Sequence, residues 1–228
     1  MKDRLKLLDP YYYLDNLLLK FFGKPKKTET KIIYWVFYLI YSLLLAFIIF
    51  KLLGLILGTT LPLATVVSGS MEPSFYRGDI MVISSTKNLK SEVVTINENI
   101  ATKNITDFLE MEYEKGIVKT IKINNQLIEV NDAVENNNSV VVYKSNLTGK
   151  DIIHRVILII KANDGKFVLT KGDNNKTNYI IDQDCIISGN YVVNGCLNMY
   201  PINVESLLGK KRLRIPYIGY LKLFLFRG

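Results

Sequence analysis

The sequence predicts a mainly β extracytoplasmic domain that follows one N-terminal transmembrane helix. Three observations support this fold class. One uncharged apolar run occurs near the N-terminus, segments rich in Val, Ile and Tyr follow it, and turn pairs such as Asn-Asn, Asn-Gly and Asp-Gly separate those segments. At 228 residues the chain can bury one ordinary core in addition to a membrane helix.

The apolar run Ile32–Phe50 contains no charged residue and is long enough to cross the roughly 30 Å hydrocarbon layer of a bilayer. Lys51 interrupts it before Leu52–Leu57 continues, so the anchor is predicted over residues 32–57. A buried core helix of a soluble protein would show a polar face, and this run has none. A cleavable signal sequence has a shorter apolar region of about 7–15 residues. The run is therefore interpreted as a permanent anchor.

Residues 1–31 form a predicted cytoplasmic segment. They hold eight Lys and Arg against four Asp and Glu, and a basic excess before a membrane helix predicts a cytoplasmic N-terminus. Three aromatic residues at this end of the anchor suit an interfacial belt: Tyr34, Trp35 and Tyr38. Pro10–Phe22 is apolar and aromatic enough for an interfacial helix, with a loose exposed arm as the alternative. The expected location is the cell membrane, in a single pass.

Residues 58–228 form the predicted extracytoplasmic β-rich domain. Its strand signals are Leu63–Val67, Ile80–Ile83, Ile117–Ile123, Val140–Tyr143, Ile152–Ile160, Phe167–Lys171 and Leu213–Leu221. Asn104–Glu114 is the one segment predicted to be helical, and the terminal stretch 221–228 is predicted to lie at the membrane interface. The long segment 86–138 has mixed polarity, which favours folded β structure over a linker.

Charge and cysteine content exclude several classes of protein. The formal net charge is +8, but the middle of the chain, 32–208, holds fifteen basic and seventeen acidic residues, so the basic character lies at the two ends. That distribution favours anionic lipid head groups over nucleic acid. One histidine and two cysteines argue against a zinc site, and no organic cofactor is implied. Cys185 and Cys196 either form one bridge or remain free thiols.

A candidate nucleophile follows the anchor in VVSGSMEPSFYRGD, 66–79. Gly69 allows a sharp turn that exposes Ser70, whose hydroxyl needs a base to take its proton. His154 is the only histidine, and hence the only imidazole available. The backbone N–H of Ser70 and the hydroxyl of Ser68 are the expected oxyanion donors. This combination predicts a membrane-anchored serine hydrolase.

Four segments together resemble the type I signal peptidases. SGSMEPSFYRGDIMVI, from residue 68, resembles their serine box, in which the serine before Met is the nucleophile. DIIHRVI, from residue 151, is similar to the second box of the archaeal and endoplasmic-reticulum branch, which has His where the bacterial branch has Lys. LTKGDNN, from residue 169, resembles the third box, and LRIPYIGYL, from residue 213, resembles the closing strand. With the anchor, the resemblance covers about half of the chain.

The resemblance implies a signal-peptidase-like β fold and a serine endopeptidase with Ser70 as nucleophile and His154 as general base. Met71 and Pro73, beside the nucleophile, are the expected substrate-binding residues. The implied substrates are secretory preproteins, cut after small residues of an A-x-A pattern while they lie extended along a strand edge. Membrane lipids and the export machinery are further expected partners.

The residue that orients His154 departs from the family pattern, which has a second aspartate about six positions after the aspartate of GDNN. Here that aspartate is Asp173, and the sixth position after it is Tyr179. Asp182 is the preferred third member, with Asp173 as an additional catalytic-site residue that shapes the pocket. Two alternatives remain open: Asp184, and Asn198 if residues 176–197 are an insertion.

Two other classes of function remain open. A catalytically inactive homologue would bind signal peptides or the export machinery, and the displaced acid supports this alternative. A membrane-anchored serine protease would instead cleave other surface proteins and would be indifferent to A-x-A spacing.

Overall fold

The computed structural model describes residues 9–25, 28–188, 191–192 and 194–225. The chain divides into two units, Met1–Leu53 and Gly54–Gly228. The fold class predicted from the sequence is confirmed, because a domain built mainly of β-strands follows a single long apolar helix.

The N-terminal unit begins with helix α1, Pro10–Phe22. The Asp9 carboxylate accepts a hydrogen bond from the N–H of Tyr11, and Pro10 occupies the first helical position, where its missing N–H is harmless. Gly23 ends the helix at φ 68°, a conformation that glycine adopts at low cost. The prediction of a helix over these residues is confirmed, while its place at a membrane interface stays a prediction.

Helix α2, Thr28–Leu57, is the one helix among the described residues that is long and apolar enough to cross a membrane. Its first half packs against α1, which buries Leu14 and Leu18. Tyrosine hydroxyls join the two helices through four hydrogen bonds: Tyr11 with Ser42 Oγ, Tyr34 with the Gly23 carbonyl, Tyr38 with Asp15, and Tyr41 with the Pro10 carbonyl. The N-terminal unit is therefore a helical hairpin.

The described part of the second unit contains thirteen strands. They are Leu63–Thr65 (β1), Ile80–Ser84 (β2), Glu92–Thr95 (β3), Glu110–Glu114 (β4), Ile117–Ile123 (β5), Gln126–Glu129 (β6), Val140–Lys144 (β7), Asp151–Ala162 (β8), Gly165–Lys171 (β9), Ile187–Ser188 (β10), Tyr191–Val192 (β11), Ile202–Asn203 (β12) and Gly209–Ile215 (β13). The main sheet has the order β1-β2-β13-β7-β8-β9-β12, with β3 added in parallel to β8. Strands β4, β5 and β6 form a separate antiparallel sheet.

Strand β8 is the centre of the domain because β7 and β9 flank it and core clusters cover both of its faces. Its middle residues are buried without interruption, as expected for a strand covered on both sides. Segment 86–138 contributes to the cluster on one face, where Ile121 and Ile128 pack with Leu158 and Ile160. This segment is folded mainly as β structure, with one short helix, α3, at Asp132–Glu135.

The helix predicted over Asn104–Glu114 is wrong. Only Ile105–Asp107 forms a single 3-10 turn, and β4 follows it. Strand β4 pairs with β5, and the Thr120 hydroxyl donates to the Glu112 carboxylate across the pair. Cross-strand pairing outweighs the helix preference of Glu and Met in this segment.

The strand predicted over Leu213–Leu221 is correct only to Ile215. Pro216 has no N–H to donate to a neighbouring strand, and Tyr217 adopts φ 65°, which turns the chain. A short helix, α4, follows at Tyr220–Leu225. Of the segment predicted to lie at the interface, residues 226–228 lie outside the described residues.

Candidate active site

Apolar side chains hold the turn that contains Ser70, here called the serine turn, against the core. Met71 is 1% exposed and packs with Phe75 in the cluster that contains Met81 and Val142. The Phe75 N–H donates to the Met71 carbonyl at 2.9 Å, which closes the turn. Pro73 is exposed. Of the two expected substrate-binding residues, Pro73 therefore presents its side chain to solvent, and Met71 presents its side chain to the core.

A buried carboxylate fixes the end of the serine segment. Asp79 is fully buried, accepts from the N–H of Tyr76 at 2.8 Å, and pairs with the guanidinium of Arg214 on β13 at 2.8 Å. The Asp79 carbonyl also accepts from the N–H of Val66 at 2.9 Å. The segment 66–79 is thus a loop whose two ends meet and which is joined to the closing strand.

His154 lies on β8, opposite Val141 of β7, and is 2% exposed. Its Nδ1 atom lies 2.7 Å from Oδ2 of Asp182. The same carboxylate oxygen accepts from the hydroxyls of Tyr143 at 2.9 Å and Thr170 at 2.7 Å. Burial and the nearby Asp182 carboxylate hold the pKa of Tyr143 well above its usual value, so its phenol remains a donor.

This network determines what the imidazole can do. An ionised carboxylate only accepts hydrogen bonds, so the Nδ1 atom of His154 carries the proton that it shares with Asp182. The neutral ring then has its lone pair on Nε2, which is the arrangement required of a general base. The preferred third member from the sequence is thus placed against His154.

Asp182 reaches this position through a loop that is held at several points. Its N–H donates to the Thr170 carbonyl at 2.9 Å, and its carbonyl accepts from the N–H groups of Leu197 and Asn198 at 2.8 and 2.9 Å. The disulfide Cys185–Cys196 closes the same loop. Of the two alternatives left open for the cysteines, the structure has the bridge.

The two alternative residues have other partners. Asp184 accepts from the hydroxyl of Tyr113 on β4, and burial together with this bond raises the pKa of Tyr113. Asn198 accepts from the N–H of Asn146 and donates to the carbonyl of Tyr200. Within the described residues, neither side chain bonds to His154. Tyr179, at the position of the family aspartate, is 44% exposed.

Asp173 forms a buried ion pair with Arg155, the residue after the histidine. The guanidinium donates to both carboxylate oxygens, from Nε at 2.8 Å and from Nη2 at 2.6 Å. Nη2 also reaches Ser74 Oγ at 3.4 Å, and Nη1 donates to the Asn138 carbonyl at 2.9 Å. Arg155 therefore links β8 to the serine segment, Asp173 holds its guanidinium, and Asp182 is the carboxylate that contacts the imidazole.

Gly172 lies where the end of β9 approaches the serine turn. It directly follows Lys171, the last residue of β9, which pairs with Arg155 of β8. A Cβ added to Gly172 would lie only 2.6 Å from the Ser70 carbonyl oxygen, so the missing side chain makes room for the serine turn.

The Ser70 hydroxyl lies 3.2 Å from Ser68 Oγ, the expected second oxyanion donor. In the part of the chain that the structure describes, no hydrogen bond joins Ser70 to His154. Sequence reasoning identified both residues but missed Gly172, whose only signal was a glycine directly after a strand in the third box.

The curated relatives of this chain carry one name. No family model matches the chain. It is 26% identical to the signal peptidase complex catalytic subunit SEC11 of Pyricularia oryzae, over 91% of this chain and 87% of the relative. It is also 25% identical to SEC11 of Candida tropicalis over 79% of this chain and 75% of that protein, and 26% identical to SEC11 of Plasmodium falciparum over 80% and 68%.

The chain is a homologue of the endoplasmic-reticulum type of type I signal peptidase. The relatives match most of the chain, more than the half covered by the four boxes and the anchor.

This signal peptidase homologue also has a buried lysine beside the site, which sequence reasoning missed. Lys171 is 4% exposed, and its Nζ donates to the Gly172 carbonyl at 3.0 Å and to Asn175 Oδ1 at 2.6 Å. Burial lowers the pKa of Lys171 to about 8, against the opposing attraction of Asp182 and Asp173. The described residues include no group of three or more His, Cys, Asp or Glu side chains arranged to hold a metal ion.

Proposed function

We propose that this chain is a membrane-bound serine endopeptidase that removes N-terminal signal peptides from exported preproteins. The observation that carries the proposal is the buried His154–Asp182 pair, 2.7 Å apart, on the strand whose next residue, Arg155, reaches Ser74 of the serine segment. The names of the relatives support the choice of substrate, because each is a signal peptidase catalytic subunit.

In the proposed reaction, Ser70 Oγ attacks the carbonyl carbon of the scissile peptide bond while Nε2 of His154 takes the hydroxyl proton. This requires the Ser70 hydroxyl to rotate from its contact with Ser68 toward the imidazole. The Ser70 N–H and the Ser68 hydroxyl stabilise the oxyanion that forms. His154 then protonates the leaving amine, and water hydrolyses the acyl-enzyme through the same base.

Asp182 has two roles in this proposal. Its carboxylate keeps the proton on Nδ1 and faces the positive charge that develops on the imidazole. The bonds from Tyr143 and Thr170 hold the carboxylate at a fixed place, so it needs no reorganisation when the charge appears.

We propose that α2 anchors the enzyme in the cell membrane, with the basic N-terminal segment in the cytoplasm and the β domain outside. Cleavage sites of preproteins emerge at the outer surface of that membrane, where an anchored protease meets them. The relatives are named as subunits of a complex, so we propose that this chain also works with partner subunits.

The test is cleavage of a preprotein with an A-x-A site by membranes that contain the wild type, Ser70→Ala, His154→Ala, Asp182→Asn or Asp184→Asn. We expect loss of cleavage in the first three variants. Asp184→Asn should remain active because Asp184 bonds to Tyr113 and not to His154.

Two results would reject the proposal. If the inserted, folded wild type leaves the preprotein intact, the chain is a binding module. If cleavage is equally fast when the small residues of the A-x-A site are replaced by large ones, the chain is a protease for other surface proteins.

A further inference from the structure

One side chain outside the proposed triad, that of Asn174, is hydrogen-bonded to the serine turn. Asn174 lies in the loop that follows β9, and its Nδ2 donates to the Gly69 carbonyl at 2.9 Å. Its backbone N–H donates to the Ser70 carbonyl, also at 2.9 Å. Two successive carbonyls of the turn are therefore bonded to the same residue.

The orientation of the Asn174 amide follows from its other bond. Its Oδ1 accepts from the backbone N–H of Lys176 at 3.1 Å, and an NH₂ group in that place would face another donor. The assignment of Nδ2 toward Gly69 is thus set by the network. The Asn174 carbonyl accepts from the N–H groups of Asn178 at 2.7 Å and Thr177 at 3.1 Å, which fixes the loop itself.

Bonding a carbonyl also directs the N–H of the same peptide. In a trans peptide the C=O and the N–H point in opposite directions across a rigid plane. Because the Gly69 carbonyl points to Asn174, the N–H of Ser70 points away from it. Within the described residues, that N–H donates to no acceptor, whereas the Gly69 carbonyl accepts from both Asn174 and the N–H of Glu72.

We propose that Asn174 is a positioning residue for the oxyanion hole. It holds the Gly69–Ser70 peptide so that the Ser70 N–H faces the site of the developing oxyanion before substrate arrives. A donor fixed in advance stabilises charge without reorganisation, which is the source of its catalytic effect. This inference rests on the proposed peptidase function and adds a residue outside the proposed Ser70–His154–Asp182 triad.

The test variant is Asn174→Asp, which keeps the size of the side chain, the Oδ1 acceptor and the backbone N–H. It replaces the donor that faces the Gly69 carbonyl with an oxygen, so the peptide is released or turned. Removing an oxyanion donor outright costs about 10²–10³ in kcat, and loss of its positioning should cost on the order of 10–100-fold. We expect KM for an A-x-A peptide to change by less than about threefold, because the ground-state carbonyl needs this donor little.

A second readout separates positioning from general damage. A peptide aldehyde with the A-x-A sequence forms a hemiacetal with the nucleophile, and its oxygen occupies the oxyanion hole. Its affinity should fall by the same factor as kcat/KM in Asn174→Asp. The pH profile of kcat/KM should keep its shape in the uncharged variant Asn174→Ala, because that change leaves the general base unaltered and adds no charge.

The matched control is Asn124→Asp in the turn between β5 and β6. Asn124 makes the same kind of bond, from Nδ2 to the Thr95 carbonyl at 2.8 Å, but outside the site. It should retain wild-type kcat and aldehyde affinity. Asn174→Ala serves as an uncharged second variant and should show the same pattern.

The outcomes are distinct. If the wild-type enzyme does not cleave the peptide, the proposed function is wrong, and this failure is distinct from a failure of the role of Asn174. If the wild type is active and Asn174→Asp keeps its kcat, or loses kcat without losing aldehyde affinity, the positioning role is wrong. If neither variant folds while Asn124→Asp does, Asn174 is a structural residue and the proposal is rejected.

Discussion

Replacing Asp182 by Asn tests the centre of the proposed site, because it removes one charge and leaves the shape. The carboxylate is 3% exposed, and three donors converge on its Oδ2 from His154, Tyr143 and Thr170. An asparagine would place its single oxygen where these three donors meet. The Nδ1 proton of His154 would keep an acceptor, so the variant should fold and retain the tautomer of the ring.

The expected loss is then electrostatic. Two unit charges about 4 Å apart attract each other by roughly 4 kcal/mol at an effective dielectric constant of about 20. If the imidazolium loses most of this interaction in the transition state, kcat should fall by on the order of 10³, since about 1.4 kcal/mol corresponds to a factor of ten. A reversed amide would favour the wrong tautomer, and the loss would approach about 10⁴.

The assay is single-turnover cleavage of an A-x-A preprotein by purified wild type, Asp182→Asn and Asp184→Asn, with circular dichroism to confirm folding. Asp184→Asn is the matched control, because it removes a carboxylate of the same loop that bonds to Tyr113. If Asp182→Asn keeps activity within about tenfold of wild type, the reasoning is refuted. A tenfold loss corresponds to about 1.4 kcal/mol, far less than the roughly 4 kcal/mol attraction that the variant removes. Equal losses in both variants would refute it as well.

Three further predictions concern the surroundings of the site. Gly172→Ala should lower kcat at least about tenfold, because its Cβ would lie 2.6 Å from the Ser70 carbonyl oxygen, and a misplaced nucleophile is costly. In the control Gly195→Ala, the added Cβ would lie 4.0 Å from its nearest neighbouring atom, so this variant should be active. Equal kinetics of the two variants would contradict the role of Gly172. Reducing the Cys185–Cys196 bridge should destabilise the domain by about 3 kcal/mol and lower activity, because the bridge closes the loop that holds Asp182. Thermal unfolding and cleavage with and without reductant test this, and an unchanged Tm would contradict it. The pKa of Lys171 is lowered from 10.5 to about 8 in the folded state, so the unfolded state binds more protons between these values and the unfolding free energy should rise across that pH window. Denaturant titrations should show that Lys171→Met loses this rise, and an identical pH dependence of wild type and variant would refute it.

Local sequence patterns were sufficient to predict the helices and strands whose conformation depends on neighbouring residues. The uncharged run became helix α2, the capped Pro10–Phe22 became α1, and the Val- and Ile-rich segments became β2, β5, β7, β8 and β9. They failed where a distant partner decided the outcome. Glu110–Glu114 pairs with β5, although its Glu and Met content suits a helix.

Composition determined the candidate for the general base. With one histidine in the chain, His154 was the only imidazole that a serine in this protein could use. Asp182 and Asp184 are two residues apart in the same acidic run, and both are buried. Spacing alone could not separate them, because the chain turns between them and their side chains reach different partners.

The sequence by itself determined the long apolar helix, the β class and the candidates for nucleophile and base, because each depends on residue type, hydrophobic run length or a local turn. Only the tertiary structure decided that Asp182 faces His154, that Gly172 makes room for Ser70, and that Asn174 holds the Gly69 carbonyl. These relations join residues that are up to 105 positions apart, as Asn174 and Gly69 are. Sequence distance carries no information on which side chains converge, since strand pairing and core packing bring them together.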